Sequence, residues 1–208
     1  MWQATIKTLA LALALNLALA VSGAQAAGQP TEIIKGVLDQ VQEILRNPAY
    51  QGPAQKSQRR RLIKQAVDRR FDYQEMARRS LGSTWGSLSS SQRGDFVRLF
   101  GELLEASYSD KIEKYAGNVK MDYIGESLDG DYAEVRTLVV RANDRVPFSY
   151  RLLKEGGGWK IYDVVIEGVS LVSNYRSQFS RIIHESSYPE LVRRLKNKVN
   201  ELQATGGA

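Results

Sequence analysis

The chain has 208 residues, of which 43% are hydrophobic and 25% charged, a balance typical of one folded domain with a sizeable core. A formal net charge of +6 favours anionic partners such as lipid headgroups, membrane surfaces or nucleic acid, without choosing among them. Because the chain has no cysteine, disulfides, thiolate nucleophiles and cysteine-based metal sites are excluded.

The N-terminal residues predict a cleavable signal peptide. Lys7 supplies the positive charge, Leu9–Val21 is mostly apolar, and Ala24-Gln25-Ala26 matches the small-x-small pattern of a cleavage site. We therefore predict that residues 1–26 are removed and that residues 27–208 form the mature protein. A retained membrane anchor is the alternative, but the apolar run is shorter than the about 20 residues that span a bilayer.

Helical periodicity dominates the first half of the mature chain. The predicted helices span 32–46, a segment around 62–67, 72–80 and 89 to about 115. Asp72 with Glu75, and Ser89 with Gln92, have the spacing of capping boxes at the starts of the third and fourth helices. Gly82 is the predicted stop of the third helix.

From Val119 the apolar residues alternate with polar ones, as expected for strands. Asp129-Gly130, Asn143-Asp144 and Gly156-Gly157-Gly158 mark hairpin turns between them. The predicted strands span 119–123, 132–141, 146–152 and 159–166, and two helices follow at 171–185 and 189–202. The pattern predicts a single α+β domain with a four-stranded antiparallel meander.

Catalytic patterns are poorly supported. His184 is the only histidine and sits beside apolar residues of a helix, which favours a structural role over a general base. Asp163 interrupts an apolar strand, as a hydrogen-bonded structural aspartate would. Gly168-Val169-Ser170 lacks the closing glycine of a nucleophile elbow. We predict no catalytic residues, no metal site, no cofactor and no nucleic-acid partner.

Short motifs, most of them containing an aromatic or a small residue, follow one another in a specific order along nearly the whole mature chain. They are Phe71-Asp72-Tyr73, Met76-Ala77, Leu81-Gly82, Trp85, Gln92, Phe96, Phe100, Leu103-Leu104, Tyr108, Tyr115, Gly158–Val164, Glu167–Val172, Asn174-Tyr175-Arg176, Gln178-Phe179, Leu191 and Leu195-Lys196. This order and spacing, behind a signal peptide, resembles the MlaC family, also called toluene-tolerance auxiliary proteins.

The resemblance implies an α+β fold in which helices wrap a curved four-stranded antiparallel sheet and enclose an apolar pocket. It implies a periplasmic phospholipid carrier that is not an enzyme and that maintains outer-membrane lipid asymmetry. The implied partners are an outer-membrane lipoprotein complex of the Mla system and an inner-membrane ABC transporter with an MCE-domain ring. A shuttle between two membranes works most simply as a monomer.

Alternation, together with position in the resembling segments, predicts which side chains line the pocket. They are Leu104, Tyr108, Val135, Val139, Phe148, Tyr150, Ile161, Val165, Val169, Leu171, Tyr175 and Phe179. The same residues are equally compatible with an ordinary packed core. Two other functions stay open: a cavity-containing enzyme that uses Asp163 and His184, and a structural envelope adaptor without a ligand. Arg151 and Arg176 are candidates for contact with a lipid phosphate or an acidic partner.

Overall fold

The computed structural model of the protein describes residues 29–141 and 144–206. The predicted signal peptide, its cleavage site and Asn143 of the second predicted turn lie outside the described residues. The elements in chain order are α1 (Pro30–Arg46), two 3₁₀ turns (Pro48–Tyr50 and Pro53–Gln55), α2 (Lys56–Asp68), α3 (Tyr73–Leu81), α4 (Thr84–Ser87), α5 (Ser90–Tyr115), β1 (Lys120–Asp129), β2 (Tyr132–Arg141), β3 (Asp144–Glu155), β4 (Gly158–Ile166), β5 (Val169–Ser170), α6 (Leu171–Glu185) and α7 (Tyr188–Gly206).

The strands form one open antiparallel sheet in the order β1-β2-β3-β4-β5. The α+β class and the meander are as predicted, but the sheet has five strands rather than four. The additional strand, β5, consists of Val169 and Ser170, which pair with Ile166 and Val165. Two residues are too few for an alternating pattern, so no periodicity signal identifies this strand.

The side chains of the sheet divide between two faces, because antiparallel partners point to the same side. We call the face on which α1 packs the inner face and the opposite one the outer face. Ile34 of α1 belongs to the same buried cluster as Val135, Tyr150 and Leu152. The inner face is therefore closed by α1 near the middle of β2 and β3.

A β-bulge between β3 and β4 changes which residues of β4 point inward. Ile161 pairs with Leu152 and Asp163 pairs with Arg151, so Tyr162 is left without a partner in the register. Since Arg151 and Leu152 are neighbours on β3, Asp163 lies on the outer face and Ile161 on the inner one. Val165 lies two residues after Asp163 and therefore also points to the outer face. The prediction that Val165 points inward with Ile161 is wrong.

Most of the buried apolar residues in the described part of the chain fall into three clusters. The helical cluster lies among α3, α5, α6 and α7, the sheet cluster lies between α1 and the inner face, and the α1–α2 cluster joins those two helices. Phe71 packs against both the helical and the sheet clusters. The helical cluster is thus the main core, and the sheet and α1–α2 clusters are smaller satellites of it.

One of the two predicted capping boxes is confirmed. Ser89 Oγ accepts a hydrogen bond from the Gln92 N–H at 3.2 Å, and Gln92 Oε1 accepts one from the Ser89 N–H at 2.9 Å. Asp72 also caps α3, because its Oδ1 accepts from the Glu75 N–H at 2.8 Å. The reciprocal half is absent there, since the Asp72 N–H donates to the Ile161 carbonyl at 2.8 Å instead.

The Glu75 carboxylate is engaged elsewhere. It is buried beside two arginines, with 2.5 Å to Arg78 Nε and 2.6 Å to Arg79 Nε. The hydrogen bond from Arg78, reinforced by Arg79, lowers the pKa of Glu75. The Arg79 guanidinium in turn lies over the Tyr162 ring, 4.1 Å from its centroid. Glu75 therefore anchors Arg79 against β4 rather than capping α3.

Substituting Gly82 with alanine is expected to lower the free energy of unfolding by about 1–3 kcal/mol. Gly82 ends α3 with φ 58° and ψ −130°, a conformation that an L side chain rarely adopts. An added Cβ would also lie 3.2 Å from Arg176 Nε. Urea unfolding of the purified variant measures the loss.

Gly86→Ala is the matched control for this change. Gly86 lies in α4 and an added Cβ would meet no atom within 4 Å. Alanine also has the higher helix propensity, so this variant is expected to be neutral or slightly more stable. Equal losses in the two variants would contradict backbone strain as the reason for glycine at position 82.

Candidate functional site

The inner face continues beyond the part of the sheet that α1 covers. Towards the end of β2, two further rows of side chains run across the strands. We call them the open rows; the first contains Tyr123, Thr137, Phe148 and Ile166, and the second contains Met121, Val139 and Val146. Val139 is only 7% exposed but belongs to none of the three clusters. The open rows are thus an apolar surface at the margin of the described core.

Thr137, in the first open row, has a buried polar atom without a well-formed hydrogen bond. Its side chain is 0% exposed, and within residues 29–141 and 144–206 its Oγ1 makes no well-formed hydrogen bond, although the Tyr150 hydroxyl lies close enough to interact with it. Leaving a buried hydroxyl unpaired costs about 1–3 kcal/mol. An oxygen or hydroxyl of a bound ligand could supply the missing bond. Burial raises the pKa of the nearby inner-face Tyr150, so that side chain stays uncharged.

A cleft opens where α1 passes the start of β1, and we call it the α1–β1 cleft. Its volume is about 590 Å³, and it is lined by Lys35, Asp39, Gln42, Arg46, Asn118, Val119, Lys120, Met121 and Tyr123. A second cavity of about 630 Å³ shares Asp39, Gln42 and Arg46 with it. Met121 and Tyr123 are also members of the open rows. The cleft therefore has a polar wall on α1 and an apolar end at the inner face.

Side-chain hydrogen bonds to the backbone hold the two walls of the cleft together. Gln42 Nε2 donates to the Val119 carbonyl at 2.9 Å and to the Ala116 carbonyl at 3.3 Å. Arg46 Nε donates to the Gly117 carbonyl at 2.6 Å. These bonds tie α1 to the segment between α5 and β1, so the cleft is a built part of the fold.

The structure does not bring all the predicted lining residues together. Val135, Val139, Phe148, Tyr150 and Ile161 lie on the inner face. The residues in or against the helical cluster are Leu104, Tyr108, Leu171, Tyr175 and Phe179. Val165 lies on the outer face, and Val169 is 61% exposed in β5. Their role in binding a ligand stays a prediction.

Sequence reasoning missed Thr137 and the cations of the cleft. Thr137 sits in an alternating strand, where its inward position could have been read from Val135 and Val139 on either side. Lys35, Arg46 and Lys120 gave no comparable signal. Charged residues at helix and strand surfaces are common, and only the fold places these three around one cleft.

Asp163 has the structural role that the sequence favours. It is 2% exposed, and its Oδ2 accepts from Ser170 Oγ at 2.6 Å and from Arg151 Nη1 at 3.2 Å. Its Oδ1 accepts from the Val172 N–H at 3.0 Å, in the first turn of α6. The carboxylate therefore joins the outer face of the sheet to the start of α6.

Neither a metal site nor a membrane span emerges from the described ranges. No group of three or more His, Cys, Asp or Glu side chains there is arranged to hold a metal ion. Among the same residues, no helix combines the length and apolar character needed to cross a membrane. His184 lies exposed in the last turn of α6, while Asp163 makes its bonds to Arg151, Ser170 and Val172.

Comparison with known proteins places the chain among phospholipid-binding relatives. A solved structure of a phospholipid-binding protein from Ralstonia solanacearum, in complex with a phospholipid, is similar with a TM-score of 0.72 and 26% identity, covering 83% of this chain and 97% of that chain. The intermembrane phospholipid transport system binding protein MlaC of Haemophilus influenzae is 27% identical over 126 residues, 58% of this chain.

The aligned part spans 59% of that Haemophilus relative, less than two thirds of its length. The family comparison reaches further: the sequence model of the MlaC protein matches residues 35–197, from α1 to the middle of α7. That range includes the whole sheet, the α1–β1 cleft and most of the helical cluster. The chain therefore belongs to the MlaC family.

Proposed function

We propose that the protein is a periplasmic phospholipid carrier that shuttles lipid between the outer and inner membranes and so maintains outer-membrane lipid asymmetry. The observation that carries the proposal is the apolar inner face, whose open rows extend from the sheet cluster and reach the α1–β1 cleft at Met121 and Tyr123. Family membership and the phospholipid bound by the Ralstonia neighbour support it.

The physical requirement for such a carrier is large. A diacyl phospholipid has about 30 methylenes, and at about 0.8 kcal/mol each their exposure during transit through water would cost more than about 20 kcal/mol. A carrier must cover most of this surface with apolar side chains and needs no catalytic group. Contacts of this kind are non-directional, so they tolerate acyl chains of different length.

The acyl chains, in this proposal, lie along the inner face and complete the core between the clusters. Val139, Phe148 and Tyr150 would contact them from the sheet. The buried Thr137 hydroxyl would face an ester oxygen or the glycerol. The predicted residues in or against the helical cluster would meet the acyl chains where Phe71 joins that cluster to the sheet cluster.

The proposed partners are an outer-membrane lipoprotein complex of the Mla system and an inner-membrane ABC transporter with an MCE-domain ring. A monomer that docks at each in turn is the simplest arrangement. Residues 1–26 would direct export and then be removed. The protein would not be an enzyme, because the carboxylate of the leading acid candidate, Asp163, is engaged in holding α6 to the sheet.

Mass spectrometry of organic extracts from the gently purified mature protein tests the proposal. Phospholipid is expected in amounts comparable to the protein itself, with mixed acyl chains. Protein refolded from urea in the absence of lipid is the control and should take up phospholipid from added vesicles. A clean extract from folded protein that also takes up none would favour the structural adaptor. Turnover of an added small substrate, lost in Asp163→Asn, would favour the enzyme.

A further inference from the structure

Cations predominate around the α1–β1 cleft. Lys35, Arg46 and Lys120 line it, against the single carboxylate of Asp39. Lys35 is paired with Asp39, and Lys120 Nζ lies 2.7 Å from Asp122 at the rim. Arg46 uses only its Nε, towards the Gly117 carbonyl, and its terminal nitrogens have no hydrogen bond to the part of the chain that the structure describes. Arg46 is therefore the cleft cation that has no carboxylate partner among the described residues and that keeps free donors.

The apolar end of the cleft leads directly onto the inner face. Met121 pairs with Val139 and Tyr123 pairs with Thr137, so both cleft residues are the β1 members of the open rows. An amphipathic molecule with its charged end in the cleft would reach Val139 without crossing a charged side chain of β1 or β2. It would also pass the buried Thr137 hydroxyl.

We propose that the α1–β1 cleft binds the phosphate of an anionic phospholipid headgroup, with Arg46 and Lys120 as its cationic contacts, while the acyl chains extend along the open rows. This inference rests on the proposed lipid-carrier function and locates its polar end. A guanidinium suits a phosphate because its N–H groups form paired charge-assisted hydrogen bonds. The open side of the cleft leaves the rest of the headgroup in water, which avoids the cost of burying charge.

The cleft should distinguish lipids by headgroup charge. With Lys35 balanced by Asp39 and Lys120 by Asp122, Arg46 is the cleft cation whose charge one phosphate would neutralise. Once the phosphate has neutralised Arg46, a choline group would add a positive charge without a counter-charge in the cleft, whereas glycerol would not. We expect phosphatidylglycerol to bind more tightly than phosphatidylcholine of the same acyl chains.

The test uses lipid-free mature protein carrying Arg46→Gln and Lys120→Gln together. The dissociation constant of a fluorescent phosphatidylglycerol, presented in vesicles of that lipid, is expected to rise about tenfold, from two exposed charge contacts worth a few-fold each. The control carries Arg181→Gln and Lys196→Gln, which remove the same charge from exposed positions on α6 and α7. It should change binding by less than about twofold.

If the two double variants weaken phosphatidylglycerol binding equally, or if neither weakens it, the cleft assignment is wrong. Phospholipid extracted from the wild type would still support the carrier function. A wild type that binds no phospholipid would overturn both. Should Arg46→Gln prove unstable, Lys120→Gln alone serves, because the ammonium of Lys120 is itself exposed and contacts only the half-buried carboxylate of Asp122. Inorganic phosphate is titrated in parallel. If the wild type binds it saturably, the cleft variant does not, and both bind phosphatidylglycerol equally well, the cleft is a site for free phosphate. That result would overturn the headgroup proposal.

Discussion

A Val139→Glu variant is expected to fold and to lose at least about nine tenths of its bound phospholipid, because a carboxylate must be stripped of water before acyl chains can lie against it. Val139 is 7% exposed on the inner face and belongs to none of the three clusters, so it lies at the margin of the packed core. Its row neighbours Met121 and Val146 are half-buried, so the longer glutamate side chain can reach water past them in the lipid-free protein. Lipid content is measured by mass spectrometry of extracts, and folding by circular dichroism and urea unfolding.

Val135→Glu is the matched control on the same strand and face. Val135 is fully buried within the sheet cluster, beneath Ile34 of α1. A charge there has no route to water, and this variant is expected to unfold. If both variants unfold alike, Val139 is ordinary core; if Val139→Glu keeps its phospholipid, the acyl chains lie elsewhere.

Asp163→Ala is expected to lower the free energy of unfolding by about 3 kcal/mol. The change removes the acceptor of three donors: the Val172 N–H, the Ser170 hydroxyl and the Arg151 guanidinium. The Val172 bond is the buried one and accounts for most of the loss. Arg151 and Ser170 are partly exposed and regain water, so the total stays below that of a fully buried ion pair.

Asp163→Asn and Asp129→Ala are the controls for the stability lost in Asp163→Ala. Asparagine keeps one oxygen for the Val172 N–H, so about half of the destabilisation should be restored. Asp129 is exposed at the end of β1, and its replacement should change the free energy of unfolding by less than about 0.5 kcal/mol. Urea unfolding followed by fluorescence of the tryptophans measures all three. A loss in Asp163→Ala no larger than in Asp129→Ala would mean that α6 does not depend on this carboxylate.

The local elements of the fold were predictable because their signals lie within a few residues of one another. Stripes of apolar residues mark α1 and α5, and Ser89 with Gln92 marks the start of α5. Gly82 ends α3 where the backbone requires a positive φ. Such patterns depend on helix and strand periods alone, and they also place the turns of the sheet.

Lipid binding, by contrast, was predicted from the resemblance and not from any pattern of periodicity. Hydrophobic alternation places Val135 and Val139 on one face but cannot say that the first is packed and the second is not. That difference depends on where α1 crosses the sheet. The position of α1 is set by contacts between residues about a hundred positions apart, such as Thr31 with Glu126.

The sequence by itself determined the longer helices, the meander and its first and third turns, and its motifs carry the resemblance to the family, because these signals lie in short-range order along the chain; the four-residue helix α4 had no such signal. Only the tertiary structure decided that β5 pairs with β4, that the bulge at Tyr162 turns Val165 outward, and that Lys35, Arg46 and Lys120 surround one cleft. The physical reason is that strand register and the meeting of surfaces are fixed by the packing of distant segments, for which a local pattern carries no information.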